Sequence, residues 1–234
     1  MIRLLVGVLV FVINTVYRDR PIPRFYVLET VARVPYFSYL SVLHFYETLG
    51  LWRKSDWLKV HFAESWNELH HLLIMEELGG DKIWIDRFLA RSVALLYYWI
   101  VVALYVVQPK AAYNFMELVE GHAYSSYNKY LTEHADELKA QPAPQIAIQY
   151  YRDGDLYMFD EFQTGQILEH RRPSVNNLYD VFVNIRDDEQ EHVKTMVACQ
   201  QTNAQLTFKS PHSQPRLEAP ISELLYHRIA ITRQ

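Results

Sequence analysis

The chain has 234 residues, half of them apolar and 14% aromatic, with a formal net charge of −4. That length supports one domain with a full core, and the slight acidity excludes a nucleic-acid partner read through a basic patch. Seven glycines against 17 tyrosines favour long helices over a turn-rich sheet. The single cysteine, Cys199, excludes an internal disulfide and a thiolate cluster, so a bound metal must take oxygen and imidazole ligands. Neither a glycine-rich phosphate loop nor a dinucleotide fingerprint is present.

Residues 2–13, IRLLVGVLVFVI, are apolar but shorter than the ~20 residues that cross a bilayer comfortably. No small-residue cleavage site or Ser-rich transit segment accompanies them, so the mature domain is expected to begin almost at once. Residues 1–24 then form an apolar segment and a basic linker carrying Arg18, Arg20 and Arg24. Residues 25–49 read as one helix closed by Gly50, and cations beside its aromatic face fit a membrane-interfacial helix or a core helix equally. Glu29 lies within it, with Arg33 at i+4 as the simplest partner.

Residues 55–78 form a central helix stopped by Gly79-Gly80. The run 83–107 is the most apolar in the chain. Its length permits a membrane span, but a lone span would part the helices on either side, so a buried bundle helix is expected. A helix over 110–139 follows, then a mixed stretch at 145–172 with one short helix. A last bundle helix is expected to open at a Ser174 cap. The bundle would occupy 25–201, and 202–234 would be a polar tail ending in a short amphipathic helix.

Two glutamate–histidine pairs at i, i+3 stand out: Glu68 with His71 and Glu189 with His192. Each projects from one helix face, and either could be an ordinary surface pair. Both, however, sit in apolar surroundings where an ionised carboxylate is costly unless paired or metal-bound. A four-helix bundle holding two metal ions also needs a glutamate from each of two further helices. Glu29 and Glu120 are the acids in the most apolar settings there. Asn67 and Asp188 stand beside these candidates, placed to orient them by hydrogen bonds. Glu64 and His70 are metal-like by type, and spacing alone does not dismiss Glu64.

HFAESWNELHHLLIMEELGG, ELVEGHAYSSYNKYL, GDLYMFDEFQ and NLYDVFVNIRDDEQEH resemble the plastid terminal oxidase branch of the alternative oxidase family. The likeness runs from about Arg24 to Ser213. It implies an all-α, ferritin-like four-helix bundle with added membrane-interfacial helices and two iron ions. The implied ligands are Glu29, Glu68, His71, Glu120, Glu189 and His192, with Glu64 and His70 left outside. It implies a redox or hydrogen-bonding role for Tyr127 and a quinol pocket around Arg24, Leu28, His122, Ala123 and Ser126. His44 and Tyr105 fall on positions to which the plastid branch is sensitive, and GDLYMFDEFQ belongs to an insertion of that branch. The implied activity is oxidation of plastoquinol or ubiquinol by O2, giving water without proton pumping. The implied setting is a homodimer on one leaflet, at the cytoplasmic face of a thylakoid-type membrane. The alternative is another di-iron carboxylate enzyme, such as a quinone-ring hydroxylase.

Overall fold

The computed structural model describes residues 2–51, 55–153 and 173–201. Among them every regular element is helical: α1 (Ile2–Val16), α2 (Pro21–Ala32), α3 (Val34–Thr48), α4 (Ser55–Glu77), α5 (Trp84–Val107), α6 (Pro109–Lys139), α7 (Gln145–Ile148) and α8 (Leu178–Cys199). A five-residue π-turn, Gln149–Asp153, follows α7. The tail beyond 201 and the insertion at 154–163 lie outside the described residues.

Sequence chemistry sets most of the boundaries. Pro21, Pro35 and Pro109 each open a helix, where a missing N–H costs nothing. The single helix expected over 25–49 is therefore two. Pro35 cannot donate to the carbonyl four residues back and its ring crowds it, so the chain turns at Arg33 before α3 starts. The α4 stop is as expected: Gly79 takes a φ of +83° and Gly80 N–H bonds Met75 O. Gly80 also lies so close to α2 that an added Cβ would meet the Tyr26 Cβ at 2.7 Å. The cap of α8 is Asn177, not Ser174. The Asn177 side chain accepts from Asp180 N–H, while the Ser174 carbonyl accepts from Asn184.

Helices α6 and α8 make the most extensive pair, and α2, α3 and α4 pack across from them. Two apolar clusters flank the bundle interior. One joins Phe25, Ile74, Met75, Tyr127, Phe182 and Ile185, and the other joins Tyr39, Trp57, Tyr105, Tyr113 and Met196. Between them lies a band of buried polar residues.

The expectation of a buried 83–107 helix fails. Helix α5 buries one narrow stripe, Asp86, Ala90, Val101 and Tyr105, against the bundle. Its outer face leaves Trp84, Phe88, Leu95, Leu96 and Trp99 between 52% and 67% exposed. Hydropathy records that a helix is apolar all round but not what surrounds it, and here one stripe meets protein while the rest is exposed. It is the one described helix long and apolar enough to cross a membrane. At its start Asp86 accepts from Tyr17 and Arg20, which ties the end of α1 to α5. The exposed Phe11, Val12 and Val16 of α1 extend the apolar surface.

Candidate metal centre

Four helices deliver six side chains to one interior point: Glu29 from α2, Glu68 and His71 from α4, Glu120 from α6, and Glu189 and His192 from α8. All six are at most 1% exposed. They divide into two groups able to hold a cation, Glu29–Glu68–His71–Glu189 and Glu68–Glu120–Glu189–His192. Glu68 and Glu189 belong to both. Each group thus has one carboxylate and one imidazole of its own and two shared carboxylates.

The imidazoles present Nδ1 to the interior. His71 Nδ1 is 3.3 Å from Glu189 and 3.7 Å from Glu29, and His192 Nδ1 is 2.9 Å from Glu68 and 3.7 Å from Glu120. The far nitrogen of His71 is fixed: Nε2 lies 3.1 Å from Asp188 Oδ2. A carboxylate can only accept, so it holds the proton on Nε2 and leaves the Nδ1 lone pair facing inward. Asp188 is anchored in turn by Asn67 Nδ2 and the Tyr151 hydroxyl, each at 2.9 Å. Asn67 also donates to the Tyr150 hydroxyl at 2.8 Å. Asn67 and Asp188 therefore meet each other, not only the neighbours they have in sequence.

Two tyrosines cross-brace the terminal carboxylates. Tyr127, seven residues after Glu120, donates to Glu29. Tyr36, seven residues after Glu29, donates to Glu120 Oε1 at 2.6 Å. Tyr127 was expected near the centre; Tyr36 was missed, although its i+7 spacing from Glu29 was a visible signal. The Tyr150–Tyr151 pair was missed too, because only the fold brings a segment 37 residues away to Asp188. The sequence pairing of Glu29 with Arg33 does not form. Glu29 turns inward, while Arg33 lines a surface groove beside Phe37 and His44.

Electrostatically the cluster lacks positive charge. Oxygens of Glu29, Glu68, Glu120 and Glu189 are buried without a well-aligned hydrogen-bond donor, and His71 Nδ1 likewise has only poorly aligned carboxylate neighbours. Burial, reinforced by Glu68 and Glu189, pushes the Glu29 carboxyl well above the usual range, and burial with Glu189 does the same to Glu120. Burial opposes a charged His71, but hydrogen bonds to Asp188 and Glu189 prevail and raise it well above an ordinary histidine. Glu189 moves down, since hydrogen bonds from His192 and His71 outweigh its burial. Protons are thus recruited to offset four converging carboxylates. Divalent cations displace such protons, and an excess of hard oxygen acceptors over donors suits them. The donor set fits two metal ions.

The predicted quinol residues separate. Arg24, His122 and Ser126 line a cavity of about 700 Å³ between α1, α2 and α6. Leu28 instead packs on the first apolar cluster, and Ala123 is buried. Arg24 donates to Ser126 Oγ at 3.0 Å and reaches His122 Nε2 at 3.5 Å. Phe25, also on the cavity wall, stacks on Tyr127 with centroids 4.2 Å apart.

Two groups able to hold a cation, sharing two carboxylates inside a four-helix bundle, are the ligand set of the dinuclear carboxylate class of proteins. Residues 2–201 match the family model for alternative oxidase, and the chain belongs to that family. It is 61% identical over 202 residues to ubiquinol oxidase 4, chloroplastic/chromoplastic, of Arabidopsis thaliana, covering 86% of this chain and 57% of that one. It is 36% identical over 126 residues to the mitochondrial ubiquinol oxidase of Mangifera indica, covering 53% and 39%. It is 31% identical over 166 residues to mitochondrial ubiquinol oxidase 2 of Glycine max, covering 70% and 44%. The chain spans between 39% and 57% of these relatives' lengths.

Proposed function

We propose that this protein is a membrane-associated di-iron quinol oxidase that passes electrons from plastoquinol or ubiquinol to O2, forming water without pumping protons. The observation that carries the reading is the pair of cation groups sharing Glu68 and Glu189 beside a cavity whose wall contacts Tyr127. Glu29, Glu68, His71, Glu120, Glu189 and His192 would hold the two irons. Bound iron supplies the redox steps and the site of O2 reduction.

The chain's own residues do the rest. Arg24, which also donates to Ser126, offers N–H donors for a quinol oxygen at the cavity wall. Burial, helped by Arg24, lowers the His122 pKa, so a neutral imidazole is at hand. The Phe25–Tyr127–Glu29 stack links the cavity to the cluster, with Tyr127 holding its proton against Glu29. Apolar walls from both core clusters exclude water from the carboxylates.

The outer face of α5 with α1 supports attachment to one leaflet, without a span, because α5 keeps a protein-facing stripe along its whole length. A thylakoid-type membrane with the bundle on its cytoplasmic side is the setting we infer. A groove of about 400 Å³ between α3 and α4, flanked by exposed Phe37 and Phe62, supports a homodimer. Purified protein should bind about two irons per chain and sustain oxygen consumption over many turnovers only when quinol is added, yielding quinone. A ring-hydroxylated product would favour the hydroxylase alternative, and iron-loaded protein inert towards quinol would refute the oxidase.

A further inference from the structure

Beside the candidate centre lies a second buried polar group that quinol oxidation does not use. His61 of α4 stands between Glu64, whose Oε2 is 2.9 Å from Nδ1, and Tyr113 of α6, whose hydroxyl is 2.9 Å from Nε2. The Tyr105 hydroxyl of α5 is 2.7 Å from that of Tyr113. The Cys199 thiol of α8 also faces Tyr113. All five residues are buried.

Counting donors favours one direction for this chain. When Nδ1–H donates to Glu64, Nε2 accepts from Tyr113, and the Tyr113 oxygen accepts from Tyr105. The reverse alignment leaves the Tyr105 hydroxyl hydrogen without an acceptor among the described residues.

A purely structural role explains less. Glu64 Oε1 is buried with no hydrogen-bond donor, a cost that core cement would avoid. Tyr36, Tyr39, Tyr105 and Tyr113 are each at most 1% exposed, where phenylalanine would fill nearly the same volume without a hydroxyl to satisfy. A phenol hydrogen-bonded to an imidazole that is backed by a carboxylate has what one-electron oxidation of tyrosine requires. Removing the electron makes the phenolic proton strongly acidic, and a base must be within hydrogen-bond reach to receive it. Burial holds the Tyr113 phenol well above its ordinary pKa, so it enters such a step protonated.

Aromatic rings connect the group to the metal cluster. Tyr39 lies 5.0 Å from Tyr113 and 5.1 Å from His61 between centroids. Tyr36 lies 6.3 Å from His61 and 5.4 Å from His192, with its hydroxyl on Glu120.

We propose that Tyr113 is a reversible one-electron relay to the metal centre, with His61 receiving its proton and Glu64 supplying the counter-charge. The proposal rests on the function inferred above, because the oxidant is the iron centre after O2 has oxidised it. In the forward step Tyr113 gives one electron to that centre, which is reduced by one. Its O–H bond breaks and the proton forms an N–H bond at Nε2 of His61. A neutral phenoxyl radical and an imidazolium paired with Glu64 result. In the return step one electron drawn from quinol reaches the phenoxyl through the centre, and the proton passes back from His61. Tyr113 and His61 are restored, the net change being one electron passed from quinol to the centre, and Tyr113 holds one oxidising equivalent while quinol is late. His61 and Glu64 are positioning residues acting through Tyr113.

The test uses the full chain loaded anaerobically with ferrous iron, mixed with O2 without quinol, freeze-quenched and read by electron paramagnetic resonance with deuterium exchange. Iron content and quinol oxidation are measured in parallel. A neutral tyrosyl signal should appear in the wild type, persist in Tyr127→Phe and fall to background in Tyr113→Phe. Tyr105→Phe should keep the radical but lose one exchangeable hydrogen-bond coupling, a change that a radical on Tyr127 would not show. That second variant covers the case in which Tyr113→Phe fails to fold. Iron-loaded, quinol-oxidising protein with no tyrosyl signal, or with a signal unchanged in both variants, overturns the relay and leaves the oxidase standing. Protein that neither binds iron nor oxidises quinol overturns both.

Discussion

Helix α4 carries two glutamate–histidine pairs a turn apart, His61 with Glu64 and Glu68 with His71, and they meet opposite conditions. Glu64 and His61 pass their hydrogen bonds on to Tyr113 and Tyr105, so donors nearly balance acceptors. Glu68 and His71 face three further carboxylates and another imidazole, and acceptors outnumber donors. By residue type the pairs are interchangeable. What separates them is the local balance of charge and donors, and that balance decides which one needs a metal.

Breaking the shared carboxylate Glu189 should have the largest effect. Glu189→Ala removes a ligand from both groups and should abolish binding of both ions, measured by metal analysis after reconstitution. Next comes Asp188→Asn, which keeps the shape but no longer fixes the His71 tautomer through two lone-pair acceptors. Metal affinity should fall on the order of 10–100-fold in a competitive chelator titration, with helical content unchanged. On the outer surface, Leu96→Lys should weaken binding to quinone-free lipid vesicles by roughly 2 kcal/mol, the worth of one buried leucine, while leaving metal content intact. The smallest effect belongs to Tyr151→Phe. It deletes one hydrogen bond to Asp188, worth about 1 kcal/mol, which in a chain of this size lowers the melting temperature by about 2–4 °C.

Much of the site was legible because its chemistry repeats along the chain. Two pairs at i, i+3 and two acids in apolar helices single out the six residues that the fold brings together. The family resemblance selected the same six, and the structure places Glu64 outside both cation groups. The helix break at Pro35 was also legible and was passed over, since apolar periodicity ran through it. Other features were not written locally. The exposure of α5 depends on which helices happen to cover it, and α2, α3 and α6 cover only one stripe. The Asn67–Asp188–Tyr151 bonds join three distant segments. The His61–Tyr113 contact spans 52 residues, so nothing local in the sequence singles out His61.

Metal content of two variants of α4, measured side by side with the wild type, tests the central claim most directly. Glu68→Ala should lose both ions, whereas Glu64→Ala, one turn earlier, should retain about two per chain despite some loss of stability. Equal loss in both variants, or full retention in Glu68→Ala, would contradict the assignment of the metal centre.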